Sequence, residues 1–404
     1  MLATATVTAP ATRTTLRAWG ALLALSAAAF LFVTTETLPI GLLQPIGADL
    51  GASDSTVGLL VTYYGLVVVF TSLPLTQLTR AMPRRTLLTV VLAVFVVSTI
   101  ASAVVDSYAM LLCARVVTAA SQALFWSVVV PTAAGLFRPE IRGRVLAVLF
   151  AGSSLAAVVG VPAGTWLGQQ MGWRAAFVGL ASAALLTMIA VAVLLPNAQP
   201  GWDEDARGPQ ADVRRYVLLI LVISLVVTGA FTFFTYVSPY LTDVVLLSPA
   251  MVSAALLLRG LAGLVGVVVG GALVDRRPNL AVALPVGVQA VALLGLRVFA
   301  DNPAVALTLV ALTGLAFAAL TTALATRVLA VAPGNIALAA SGVSTAVNVG
   351  ITLGALFGSN LLAAFGPQST AVVGGLLTLA GFILALGEPL LSRQPRPANA
   401  RLGR

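Results

Sequence analysis

One carboxylate, Glu36, falls inside an otherwise apolar run from Ala18 to Leu43, and two guanidiniums, Arg115 and Arg259, fall inside later apolar runs. A carboxylate taken out of water loses the solvation of its anion, so such a group is suited to taking up and releasing a proton. Arginine does not titrate and acts as a fixed cation with five donors. Counted at about 1.5 Å per residue from Ala18, Glu36 lies roughly 27 Å along a helix, in its outer half. Pro39 follows closely and can loosen the helix there. Two readings therefore stand: a site for a proton or a cationic substrate, or a polar end facing water. Arg115 either tunes Glu36 or ties neighbouring carbonyls together. Arg259 either meets an anionic or hydroxyl-rich substrate or snorkels to the surface.

Other polar and aromatic residues recur in the same runs: Tyr63 and Tyr64, Gln122 and Trp126 one turn apart, Phe234 and Tyr236, and Asn348. Small-molecule pockets commonly combine an apolar lining with a few placed polar groups, and these seven residues with Arg259 are the substrate-site candidates. Read singly, each aromatic is more readily explained as core packing or interfacial belt than as a substrate contact. Gln122 and Asn348 stand out because an amide within a span needs a partner.

Histidine is absent and all 22 basic residues are arginine. Without lysine there is no nucleotide-binding GxxxxGK[ST] loop and no Schiff base. Without histidine there is no Ser/His/Asp set, and the single Cys113 offers neither a disulfide nor a metal cluster. No enzyme, cofactor or metal site is expected, so any energy must come from an existing gradient, for which a proton gradient is the simplest source. A net charge of +9 does not indicate nucleic acid, because the arginines stand in twos and threes between apolar stretches.

The elements that must position these groups are membrane helices. The chain is 59% hydrophobic and only 9% charged, whereas soluble domains carry about a quarter charged residues. About 20 apolar residues span a bilayer, and twelve such segments are predicted: 18–43, 56–78, 86–105, 108–136, 145–169, 175–195, 216–241, 251–274, 280–299, 304–329, 336–364 and 371–391. The polar stretch 196–215 reads as a cytoplasmic linker between a bundle at 1–195 and another, with a short tail, at 216–404. With the N-terminus inside, eighteen arginines face the cytoplasm, and only Arg174 and Arg297 lie at outer ends. Both termini are therefore expected in the cytoplasm, in a multi-pass inner-membrane protein. The run LRAWGALLALSAAAF also has the form of a secretory signal, but removing it would break the twelve-span arginine pattern. Glu388 is read as an interfacial charge.

Gly160, Gly164 and Gly168 of the fifth segment resemble Gly350, Gly354 and Gly358 of the eleventh, 190 positions on, and the Arg84–Arg85 loop resembles Arg276–Arg277. Glycines four apart line one helix face and admit a close neighbour. Their repetition points to two related bundles of six, as in rocking transporters.

These residues resemble the major facilitator superfamily, in particular its twelve-helix drug:proton antiporters and, among those, bacterial sugar-efflux permeases. The resemblance rests on TTETLPIGLL in the first segment, LLCARVVTAASQALFWS in the fourth, and GVPAGTWLGQQMGWRAAF, with Pro162, in the fifth and sixth. The family's loop motif GxxxD(R/K)xG(R/K)(R/K) is kept only in the second half, as Gly271 and Asp275–Arg276. The first half has Thr76 and Arg80 in the glycine and aspartate slots, and Val161 precedes Pro162 where the exporter motif has glycine. The resemblance implies an all-α membrane protein with two pseudo-symmetric six-helix bundles. It also implies a monomeric secondary transporter in contact with lipid, exporting a small amphiphilic drug or sugar derivative in exchange for protons, or alternatively a proton-coupled uptake symporter.

Overall fold

The computed structural model describes residues 11–138, 141–196, 212–277, 280–331 and 336–388. The linker proper and the tail beyond 388 lie outside them, as do the side chains of Arg13 and Arg142. Among the described residues the chain is helical throughout. Eleven helices are long and apolar enough to cross a membrane, and a shorter apolar helix, Ala283–Val298, completes twelve.

The helices are α1 Ala11–Gly41, α2 Asp54–Thr79, α3 Arg84–Val104, α4 Tyr108–Gly135, α5 from Arg142 to Met171, and α6 Trp173–Leu194. The second set is α7 Val213–Phe234, α8 Pro249–Arg276, α9 Ala283–Val298, α10 Pro303–Val331, α11 Ile336–Phe365 and α12 Pro367–Leu386. Two spans expected to be continuous are interrupted. In α5 the turn Ala156–Gly160 is a π-helix, just before Pro162, whose ring clashes with the carbonyl four residues earlier in a regular α-helix. Beyond α7 the chain breaks at Thr235–Tyr236 and resumes as Val237–Pro239 and a π-turn Tyr240–Val244, because Pro239 has no N–H to continue the ladder.

The buried apolar residues form two large clusters. One is drawn from α1 to α6 plus Tyr236, the other from α7 to α12 plus Ile40, Val61 and Val161. The exchanged residues mark where the halves interlock. The Tyr236 ring lies where side chains at Gly58 and Gly358 would stand, and its hydroxyl donates to the Ala355 carbonyl at 2.8 Å. Ser238 donates to Ile40 O at 2.8 Å, Ser359 to Ser55 O at 3.0 Å, and Gln169 to Pro249 O at 2.7 Å. These bonds cluster at the end where α1 finishes. At the opposite, arginine-rich end no hydrogen bond or ion pair joins the halves among the described residues.

The internal repeat is real but its register differs from the glycine triplets. Ser53 and Ser248, which precede α2 and α8, are 195 apart, and the positive-φ glycines that open α6 and α12, Gly172 and Gly366, are 194 apart. Gly160 and Gly164 therefore correspond to Gly354 and Gly358, one helical turn from the pairing the sequence pattern offers. The spacing of four reads equally well when slipped by one turn, which is why sequence alone misplaces it. The glycines join helices within a half. Gly160, Gly164 and Gly168 lie against Thr34, Leu38 and Leu42 on or just beyond α1, while Gly350, Gly354 and Gly358 lie against Val227, Thr228 and Tyr236 on or just beyond α7.

Glu388 is not the interfacial charge the sequence implied. It is 2% exposed and paired with Arg215 and Arg327, whose Nη2 lies 2.6 Å away. This triad ties α7, α10 and α12 together at the arginine-rich end. At the other end Arg174 pairs with Asp49 and donates to Val105 O at 2.7 Å. The hydrogen bond from Arg174 holds the Asp49 carboxyl below the ordinary aspartate range, so this contact stays ionised at neutral pH. Asp275 and Arg276 are exposed and form no ion pair among the described residues.

A Cβ at Gly354 would lie 2.5 Å from the Thr228 carbonyl oxygen, whereas one at Gly271 would meet nothing within 4 Å. Gly354→Ala should cost about 1–3 kcal/mol and Gly271→Ala should be neutral or stabilising by up to about 1 kcal/mol. Thermal midpoints in detergent compare the two, and equal shifts would contradict this packing. Glu388→Ala, which strands two guanidiniums, should cost up to about 3 kcal/mol, more than Arg327→Met, which leaves the Arg215 pair intact. The same measurement checks the order.

Candidate functional site

Glu36 stands on α1 five residues before its end, half-buried, and its Oε2 accepts a hydrogen bond from Gln122 Nε2 of α4 at 2.7 Å. Gln122 in turn accepts from the Tyr64 hydroxyl of α2 at 2.7 Å. One helix turn cannot supply these partners. They come from three helices because α1, α2 and α4 of the first bundle lie side by side. The chain Glu36–Gln122–Tyr64 is satisfied at each buried link, as a polar network in an apolar interior must be.

Arg115, seven residues before Gln122 on α4, is 2% exposed. Its Nη1 donates to Thr35 Oγ1 at 3.1 Å and its Nη2 to the Thr35 carbonyl at 2.6 Å. The guanidinium also stacks 4.7 Å from the Tyr64 ring centre and 5.9 Å from that of Phe177. No ion pair joins it to Glu36. Of the two sequence readings, the structure displays the tying of a carbonyl. The carbonyl belongs to the residue before Glu36, so Arg115 sets where the carboxylate stands.

Across the seam Arg259 of α8 lies with its guanidinium carbon 3.8 Å from the Phe234 ring centre. Its aliphatic stem occupies the space a side chain at Gly314 of α10 would need. It therefore points between α7 and α10 and does not snorkel to the surface. Its Nε is buried without a hydrogen-bond partner. Phe234 meets Phe231 edge to face at 5.8 Å, and Phe231 meets Phe317 at 6.1 Å.

The other candidates do not join these clusters. Tyr63 is 41% exposed on the α2 face away from Tyr64. Trp126 stacks on Phe150 of α5, with centroids 6.0 Å apart. Tyr236 is fully buried at the seam and is a clamp between the halves, with no surface for a ligand. Asn348 donates to the Ser344 carbonyl of its own helix at 2.9 Å, so its amide is satisfied locally. Thr35, Phe231 and Phe317 were missed. No composition signal marks them, since each acts through a neighbour supplied by another helix.

The family model of the Major Facilitator Superfamily matches residues 25–337 and 220–403 of this chain. The chain belongs to the major facilitator superfamily. Among its relatives, the MFS-type transporter YtbD of Bacillus subtilis (strain 168), itself uncharacterized, is 33% identical over 383 residues, covering 93% of this chain and 97% of YtbD. Among solved structures, a bacterial homolog of the human lysosomal transporter Spinster, inward-facing and unoccupied, superposes with a TM-score of 0.74 at 16% identity, over 94% of this chain and 99% of that one. Its inward-facing, occupied form gives 0.69 at 16% identity, over 95% and 97%. The human organic anion transporter MFSD10 (TETRAN) gives 0.63 at 17% identity, over 94% and 100%. At these identities the solved structures show a shared fold. Membership makes the protein a multi-pass membrane transporter working by alternating access.

The two intramembrane arginines of this superfamily member differ in how they are held, and their stability effects should differ accordingly. Arg115→Lys removes the planar fork on Thr35 and the stack on Tyr64, and should cost about 1–3 kcal/mol. Arg259→Lys gives up no protein hydrogen bond and should change stability by less than about 1 kcal/mol. Thermal midpoints of the purified variants decide the order.

Proposed function

We propose that this transporter is proton-coupled and exports a small amphiphilic molecule, a drug or sugar derivative, across the plasma membrane. This follows the drug:proton antiporter branch that its motifs resemble. The observation that carries the reading is the Glu36–Gln122–Tyr64 chain, which gives the half-buried carboxylate a donor that does not neutralise it and leaves it free to titrate. Arg115 is the positioning residue, through Thr35. In this reading the bundles 1–195 and 216–404 rock about the seam that holds Tyr236, with 196–215 as their cytoplasmic tether. The arginine-rich end faces the cytoplasm, so the interlocked end is the outer one. The protein works as a monomer in lipid. One proton moving through 100 mV supplies about 2.3 kcal/mol, enough to bias two conformations differing by a few kcal/mol.

A second reading, uptake of solute together with protons, is favoured by Arg259, a cation in the other half that meets no protein acceptor among the described residues. Accumulation in, or loss from, intact cells under an imposed gradient separates the directions.

Glu36→Gln should abolish pH-driven flux in everted vesicles while leaving substrate counterflow measurable. Full pH-dependent transport by this variant would remove Glu36 from the mechanism.

A further inference from the structure

The repeat gives the second half a counterpart of the Glu36 cluster. At the spacing of 194–195, Tyr64 falls on Arg259, Gln122 on Phe317, and Glu36 on the Ala230–Phe231 step of α7. The same two-fold relation appears in the contacts between halves. Gly65, beside Tyr64, lies against Thr352 of α11, and Gly260, beside Arg259, lies against Ala157 and Val158 of α5. Where the first half has an acid held by an amide and a phenol, the second has three phenylalanines carrying a cation.

The two clusters share one depth. The π-turn Ala156–Gly160 of α5 lies beside a chain neighbour of each, since Gly160 lies against Thr34 and Phe30 of α1, while Ala157 and Val158 lie against Gly260. Arg259 reaches inward at that level with no acceptor for its donors among the described residues. Stacking on Phe234 supports the guanidinium plane and satisfies none of its N–H groups in the ring plane. A buried charged donor left unmet is costly, and a carboxylate matches the guanidinium fork bidentately.

We infer that Arg259, propped on Phe234, Phe231 and Phe317, is the subsite for the carboxylate of an amphiphilic organic anion whose apolar body lies against those rings. This rests on the second transport reading, uptake together with protons, and names its substrate class. Among the described residues the charged and titratable groups facing Glu36 are Arg115 and Tyr64 of its own bundle, while Arg259 acts on it only through the field across the seam. Protonating Glu36 removes the negative charge at this depth and leaves both arginines. The anion is therefore held more tightly by the protonated transporter, and by reciprocity it favours proton uptake. That sign of linkage belongs to the second reading, uptake of solute together with protons.

The test is calorimetric titration of the full-length protein in phosphatidylcholine nanodiscs, with empty discs as reference. The probes are 2-naphthoate, 4-butylbenzoate and decanoate against their amides, at about pH 6 and about pH 8, where the free carboxylates stay ionised. At least one carboxylate should bind about tenfold or more tighter than its amide. Arg259→Gln should erase that preference and Arg259→Lys should retain part of it. Glu36→Gln should keep the preference and lose its pH dependence. Absence of any carboxylate preference, or a preference that survives Arg259→Gln, overturns the subsite. A preference that needs Arg259 but keeps its pH dependence in Glu36→Gln upholds the subsite and overturns Glu36 as the proton site.

Discussion

The structure turns on one constraint: an ionisable group within a bilayer must be met by partners from other helices. A helix satisfies its own backbone and leaves nothing for a carboxylate at its flank. Glu36 therefore depends on α4 bringing Gln122 to 2.7 Å, and Gln122 depends on α2 presenting the Tyr64 hydroxyl. Arg115 closes the ring by gripping the carbonyl before Glu36 and lying on the Tyr64 face. Four side chains on three helices hold one another, so the first bundle must move as a body if it moves at all.

The glycines serve the same end. In each half a row of glycines brings the fifth helix of the bundle against the first, with Gly160 opposite Thr34 and Gly354 opposite Thr228. This close approach stiffens each bundle internally, because backbone contacts cannot be repacked cheaply. Between bundles the contacts are different in kind. The Tyr236 ring against Gly58 and a few bonds to backbone carbonyls sit near one end, and small-residue crossings lie deeper. Stiff halves joined by a short seam are what alternating access requires.

The asymmetry between halves carries the chemistry. Duplicated scaffolds put residues at equivalent places, and here one copy carries an acid network and the other an aromatic platform with Arg259. The arginine-rich end shows a similar divergence: Arg17 of α1 donates to the Leu194 and Val193 carbonyls of α6, whereas Arg215 of α7 meets the buried Glu388.

Sequence alone determined the membrane class, the twelve apolar helices and the two-fold repeat, because span length, charge scarcity and arginine bias are one-dimensional quantities set by the bilayer. It also singled out Glu36, Arg115 and Arg259, since a charge within a span is conspicuous in any alphabet of apolar residues. The tertiary structure decided who meets whom. Gln122 belongs to Glu36 and Asn348 to its own helix, although both are amides in a span. Tyr64 joins the acid while Tyr63 turns away, because adjacent residues on a helix face directions about 100° apart. Glu388 became a buried triad and the glycine register shifted by one turn for the same reason: rotation and depth of helices are fixed by side-chain contacts between segments far apart in the chain, which no local pattern encodes.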